Sequence, residues 1–258
     1  DVAHEAGKLL LAELPVGRFA EAVEQKEAPR DLVSRVDRAS EQLIVKRLLA
    51  AHPTHAVLGE EGGDVGSGAA RYRWIVDPLD GTMNYLHGHP MFSVSIALER
   101  RTPDERGPVD LVAAVVHAPY LGETFFAAAG SGAFLNSQTT RLAVSDNDAL
   151  EQALLATGFS YDRARWPNFG HFVRLADEAR GIRRCGSAAL DLAYVAAGRY
   201  DGFWEFGLKP YDVAAGALLV REAGGVVTDS HGGQDWLAGF SIVAGNAAIH
   251  HAIRAMLV

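Results

Sequence analysis

The stretch Trp74-Ile75-Val76-Asp77-Pro78-Leu79-Asp80-Gly81-Thr82 constrains this chain more than any other. Three apolar residues suited to a buried strand run into two acids separated by only two residues. A Gly-Thr pair then opens a short helix predicted over 83–86. A strand end that carries two carboxylates beside a helix N-terminus offers oxygen ligands for hard cations and free N–H groups for an anion. The combination points to metal-assisted phosphate chemistry, provided that other parts of the chain supply the remaining ligands.

With 258 residues the chain is long enough for a substantial core, as one large domain or two intimate ones. Its net charge of -8 argues against a general nucleic-acid binder, which needs a basic face. An acidic protein acting on a small anion needs local positive charge, and bound metal provides it. Cys185 is the single cysteine, so neither an intramolecular disulfide nor a cysteine metal cage can form. No apolar run approaches the roughly 18 residues of a membrane span. The first residues lack a charged-then-apolar leader pattern, and a reducing cytoplasm is the expected setting. The chain starts at Asp1 rather than Met, and nothing about targeting is read from that.

Two helices are predicted first, over 1–24 with an interruption at Pro15-Val16-Gly17, and over 37–51, ended by Pro53. Lys26 to Asp31 reads as a polar connector between them. A strand at 56–58 stops at Gly59-Glu60-Glu61, and the Gly-rich stretch 62–70 reads as a mobile loop. That stretch is no phosphate-binding P-loop, because no Gly-Lys-Ser/Thr follows. Strands are expected at 92–98, 109–116 and 124–128, with another short one in 130–136, separated by turns at Pro103, Gly107-Pro108, Pro119 and Gly122. This is an α+β pattern. From about residue 147 strands (153–156, 182–184, 202–205, 226–228, 240–244) alternate with helices (166–179, 187–197, 210–223, 246–257), giving a layered α/β half. The expected organisation is an N-terminal half, 1–146, with most of the metal ligands, and a C-terminal half, 147–258, with the substrate pocket and Asp212.

Acids fall at three element ends: Glu60-Glu61, then Asp77 with Asp80, and Asp212 in the first turn of the helix opened by Pro210. Acids on separate elements converge only through the tertiary fold, and their repulsion is tolerable only with cations between them. Mg²⁺, which prefers oxygen and keeps several waters, is the natural choice. The structural alternative is equally concrete. Asp80 and Asp212 sit where helix caps sit, and Glu60-Glu61 is compatible with a solvated loop.

Four boxes in order shift this balance. Lys26 leads through Asp31-Leu32-Val33 to Asp37, and Gly59-Glu60-Glu61 follows. Next come Asp77-Pro78-Leu79-Asp80-Gly81-Thr82 and Tyr211-Asp212-Val213-Ala214-Ala215-Gly216. Along essentially its whole length the chain resembles the inositol monophosphatase family of Mg²⁺-dependent phosphatases. The resemblance implies an αβαβα sandwich, often a homodimer, that hydrolyses inositol monophosphate by direct attack of a metal-activated water without a phosphoenzyme. It implies lithium inhibition and two or three Mg²⁺ ions. The first would be held by Glu60, Asp77, the Leu79 carbonyl and Thr82, the second by Asp77, Asp80 and Asp212, and a weaker third by Glu60. Glu60 and Thr82 would orient the water, with Asp37 bonded to Thr82. Gly81 and Thr82 N–H groups would hold phosphate, and Asp80, Ala188, Glu205 and Asp212 would line the polyol pocket. Tyr211 replaces the family's usual Trp, a packing change. Lys209 stands where animal relatives carry His, either adding positive charge at the site or pointing to solvent.

Related phosphatases act on fructose 1,6-bisphosphate, histidinol phosphate or 3'-phosphoadenosine 5'-phosphate, and a metal-binding interaction module is the reading from a different class. Glu205 favours a polyol hydroxyl over a nucleotide. Ser187 lacks the Gly-x-Ser-x-Gly surround of a nucleophile and suits helix packing. His87 and His89 lack the further partners a tetrahedral zinc site needs. His250-His251 is expected in solvent, Cys185 as a small buried hydrophobe, and Arg183-Arg184 in a surface salt bridge, against phosphate or at a subunit contact.

Overall fold

The computed structural model describes residues 1–14, 23–25, 32–101, 110–238 and 241–257, with backbone alone at 23–25, 32–34 and 238. In chain order the elements are α1 (Val2–Ala12), β1 (Val23–Gln25), β2 (Leu32–Ser34), α2 (Arg35–Ala51), β3 (Ala56–Gly59), β4 (Gly63–Val65), β5 (Tyr72–Asp80), α3 (Thr82–Leu86), β6 (Ser93–Arg100), β7 (Leu111–Ala118), β8 (Glu123–Ala128) and β9 (Gly132–Leu135). They continue as β10 (Leu154–Thr157), α4 (Phe169–Glu178), β11 (Gly181–Arg183), α5 (Ala188–Ala196), β12 (Gly202–Phe206), α6 (Pro210–Glu222), β13 (Val226–Thr228), β14 (Ser241–Gly245) and α7 (Ala247–Leu257).

Five layers result. Helices α1 and α2 cover one face of a seven-stranded sheet ordered β4-β3-β5-β6-β7-β8-β9. Helices α5 and α6 pack against each other between that sheet and a five-stranded one ordered β11-β10-β12-β14-β13, whose far face carries α4 and α7. This is the αβαβα sandwich. The middle layer explains the small-residue composition of α5 and α6. Both are buried on nearly every side, and only Ala, Gly and a few Leu and Val let two helices and two sheets approach closely. At Gly216 an added Cβ would come within 2.4 Å of Leu192. Among the described residues no helix is long and apolar enough to cross a membrane.

Several expectations change. The first helix stops at Ala12, not near 24, and Val23–Gln25 pairs antiparallel with Leu32–Ser34. The sequence has Pro15 three residues beyond Ala12, and a proline, with no N–H to donate, is a residue that a helix does not run through. The predicted mobile loop contains an edge strand, β4, turned back on β3 through Gly63 at φ 67°. The seven-stranded sheet is antiparallel except for one parallel pair, β3 with β5, and the five-stranded sheet mixes parallel β10–β11 and β10–β12 pairs with antiparallel ones. The Pro15-Val16-Gly17 interruption, the Lys26 to Asp31 connector, the turns at Pro103 and Gly107-Pro108, and Phe240 lie outside the described residues.

Candidate active site

The parallel pairing Gly59↔Val76 sets Glu60 beside Asp77, because both strands leave the sheet in the same direction at that row. The Glu60 N–H bonds the Val76 carbonyl at 3.2 Å, which carries the pairing one residue further. Glu41 of α2, itself buried, holds the turn from below. Its carboxylate accepts the Glu61 N–H at 2.9 Å and the Gly62 N–H at 2.6 Å. Gly59 leaves room for it, since a Cβ there would lie 2.4 Å from Glu41 Oε2.

Asp77 and Asp80 are three positions apart, and in an unbroken strand they would point to opposite faces. A bulge prevents this. Asp77 pairs with Ser95 and Asp80 with Ser93, so three steps of β5 oppose two of β6. Both acids therefore face the same way. Pro78, with no N–H to lose, suits the bulge. The Leu79 N–H bonds Asp77 Oδ1 at 3.0 Å, and the Pro78 carbonyl accepts Ser40 Oγ at 3.0 Å.

The next residue, Gly81, stands at φ 94° before α3, and a Cβ there would meet the Met91 carbonyl at 2.9 Å. Only glycine fits this combination of backbone angle and space. Thr82 Oγ1 donates to Asp37 Oδ1 at 2.8 Å, with the Leu79 carbonyl at 3.2 Å, and Asp37 is fully buried. Asn84 ties α3 to the segment before α5, donating to the carbonyls of Met91 and Cys185 at 2.5 and 2.7 Å.

Two C-terminal elements complete the site. Ser95 Oγ donates to the Tyr211 carbonyl at 3.2 Å, holding the start of α6 against β6 beside the row of Asp77. Asp212 follows, and its Oδ2 accepts the Lys209 N–H at 2.6 Å. It is thus a helix cap and a member of the acidic group at once. Asp80 also caps a helix, but a distant one. Its Oδ2 accepts Ser187 Oγ and the Ala189 N–H at the start of α5. Glu205, on β12, reaches the site because Gly158 has no side chain: a Cβ there would lie 2.2 Å from the Glu205 carboxylate oxygens.

The resulting cavity, about 600 Å³, is lined by Glu60, Asp77, Asp80, Ala188, Glu205 and Asp212 among others. Burial raises the Asp77 carboxyl well above the usual range, and the charges of Glu60, Asp80 and Asp212 push it further. Asp212 is raised in the same way by burial, Glu60 and Asp80, against the opposing Lys209 N–H bond. Asp80 is raised to about 6 by burial, moderated by its bonds from Ser187 and the α5 backbone. Glu205 is raised to about 8 by burial and by Asp191, with Arg184 opposing.

These carboxylates fit cations. Asp77, Asp80 and Asp212 have no Lys or Arg ion-pair partner among the described residues. Together they accumulate repulsion that bound cations would relieve while leaving the carboxylates ionised. Among the described residues no group of three His, Cys, Asp or Glu side chains is placed to hold a metal ion by itself. Oxygen donors of this kind suit a hard ion that keeps water and takes carbonyl, hydroxyl and phosphate oxygens as well.

The profile of the inositol monophosphatase family matches residues 1–258. The chain belongs to that family. Membership makes it a phosphatase of a generally metal-dependent family. Over 238 residues it is 50% identical to the Nus factor SuhB of Pseudomonas aeruginosa, covering 90% of this chain and 84% of that protein. It is 47% identical over 234 residues to the inositol-1-monophosphatase of Rhizobium meliloti, covering 90% and 84%. The crystal structure of the extragenic suppressor protein SuhB from Bartonella henselae superposes with a TM-score of 0.87 at 42% identity, covering 99% of this chain and 95% of that one.

Of the other residues singled out from the sequence, His250 departs from its expected place, and a few residues that build the site were missed. His250 is buried, not solvated, with Nε2 2.9 Å from Thr228 Oγ1, while His251 is exposed. His87 and His89 are exposed. Ser187 precedes α5 as the donor to Asp80, and Cys185, half-buried, packs on the core. Arg184 is exposed, and both it and Lys209 line the cavity. Glu41, Ser40, Asn84 and Gly158 were not singled out from sequence. Each acts through a partner far along the chain, for which sequence has no local signal.

Proposed function

We propose that this chain is a Mg²⁺-dependent phosphomonoesterase that hydrolyses inositol monophosphate to inositol and phosphate. The observation that carries the reading is the bulge that turns Asp77 and Asp80 to one face, beside Glu60 and Asp212. Glu60, Asp77, Asp80, Asp212, the Leu79 carbonyl and Thr82 would hold two or three ions. Bound there, Mg²⁺ would neutralise the acids, acidify the attacking water and stabilise the leaving oxygen.

The chain's own groups do the rest. With its proton committed to Asp37, Thr82 Oγ1 presents lone pairs to the water, which Glu60 orients from the other strand. Gly81 and Thr82 N–H groups hold the phosphate. Glu205 and Ala188 flank the alcohol, where a buried carboxyl group selects hydroxyls over apolar leaving groups. The net charge of -8 agrees with a small phosphorylated polyol as partner rather than a nucleic acid, and a homodimer in the cytoplasm is the expected working form.

A phosphate-release screen over inositol 1-phosphate, fructose 1,6-bisphosphate, histidinol phosphate and 3'-phosphoadenosine 5'-phosphate, with and without Mg²⁺, tests this. The highest kcat/KM is expected for the inositol ester, only with Mg²⁺ and with inhibition by lithium. A higher value for another ester reassigns the substrate. Mg²⁺-independent release sinks the metal assignment, and a trapped phosphoenzyme sinks direct attack by water. The name Nus factor, carried by the Pseudomonas relative, favours as second reading an interaction module with secondary catalysis. Very slow turnover on all four esters supports it.

A further inference from the structure

Helix α5 reads Ala-Ala-Leu-Asp-Leu-Ala-Tyr-Val-Ala, and Asp191 is its single charged residue. An acid in the middle layer of a sandwich, between two sheets, is costly unless its oxygens are used. Asp191 is 1% exposed and lines the same cavity as Glu205 and Asp80. Its carboxyl group meets the Cys185 thiol. Its Oδ1, also buried, accepts no hydrogen bond. Arg184, at the cavity rim, tempers its charge without forming a salt bridge among the described residues. The acids of the proposed metal site would have cations to offset their burial. Asp191 stands a full helical turn further along α5 than Ser187, the residue that bonds Asp80, and has no part in the proposed ligand set.

We propose that Asp191 is a specificity-determining residue of the alcohol pocket, its carboxyl group taking a hydrogen bond from a hydroxyl of a polyol leaving group beside the hydroxyl read by Glu205. The ligand class is a phosphate ester whose alcohol carries several hydroxyls on one ring or chain. An ester without hydroxyls leaves that carboxyl group unused and gains nothing from it. The proposal rests on the phosphomonoesterase reading for its substrate, but its geometry depends only on the cavity.

The test compares the full-length wild type with Asp191→Leu and Asp191→Asn, with Mg²⁺, on inositol 1-phosphate and on 4-nitrophenyl phosphate. Leu keeps the bulk and removes the acceptor, whereas Asn keeps an acceptor oxygen. For Asp191→Leu, kcat/KM on the inositol ester is expected to fall about tenfold more than on the nitrophenyl ester, mainly through KM. Asp191→Asn is expected to recover most of that difference. Equal losses on both esters, or a loss confined to kcat, assign Asp191 a purely structural role and overturn the proposal. If the wild type hydrolyses neither ester, the phosphatase reading fails separately. Calorimetric titration of wild type and Asp191→Leu with inositol 1-phosphate then decides. Weaker binding by the variant supports the proposal, and equal affinity or no binding to either overturns it.

Discussion

Ser187 donates to Asp80 Oδ2 at 2.6 Å, and the same oxygen takes the Ala189 N–H at 2.8 Å, so an acid at the end of β5 caps a helix more than a hundred residues away. The bond joins the seven-stranded sheet to helix α5 at the cavity and fixes one oxygen of Asp80. Ser187→Ala is expected to cost about 1–2 kcal/mol, the loss of a hydrogen bond to a charged group at a helix start. Urea unfolding would measure it, and an unchanged midpoint would refute the cap.

Asp77 sits at the centre of the repulsive group. Asp77→Asn removes one charge and, on the proposed reading, one metal ligand. Without metal the variant is expected to melt no lower than the wild type. Mg²⁺ should raise the melting temperature of the wild type by mass action but have little effect on the variant. Phosphate release is expected to fall by about 100-fold or more. Normal Mg²⁺-dependent turnover in the variant would show that Asp77 is not a ligand.

Gly158 gives Glu205 its place. Its backbone is not in the left-handed region, so Gly158→Ala tests space rather than strain. The new methyl collides with the carboxyl group and must push it out of the cavity. A drop of about tenfold in kcat/KM for a polyol phosphate is expected, with the fold retained by circular dichroism. Full activity would mean that Glu205 does not contact the substrate.

His117, buried beneath α1, is held down at about 4 by burial and by His4, opposed by its bond to the Glu123 carbonyl. His250 is held near 4 by burial, Arg254 and His251. A histidine whose folded pKa lies below the unfolded value of about 6.5 favours the unfolded chain once protons become available. Stability from these sites is therefore complete above pH 6.5 and falls as the pH drops from 6.5 towards 4. Melting temperatures across that window should decline, and less steeply for His117→Asn. Identical slopes would place the acid sensitivity elsewhere.

Much of the fold was legible in the residues themselves. Apolar runs marked β5, β6 and β7, while Pro210 and Gly224 bracketed α6. The acids at element ends declared their chemistry through residue type and spacing. Hydrophobic period and turn residues act over a few neighbours, so one strand's sequence carries them.

What the chain's local pattern could not carry was arrival. The alternation rule alone sends Asp77 and Asp80 to opposite faces, and only pairing with β6 creates the bulge that reverses this. Asp80 looked like a cap for its own helix, yet it caps α5. Asp191 carries no signal of its own in the small-residue sequence of α5, and only the cavity wall formed around it sets it apart. His250 looked solvated until Thr228 closed over it. In each case the deciding partner comes from another element, and the energy of a buried polar group depends on which partner arrives. The sequence by itself determined the elements and the kind of chemistry, and the tertiary structure decided which oxygens are free to perform it.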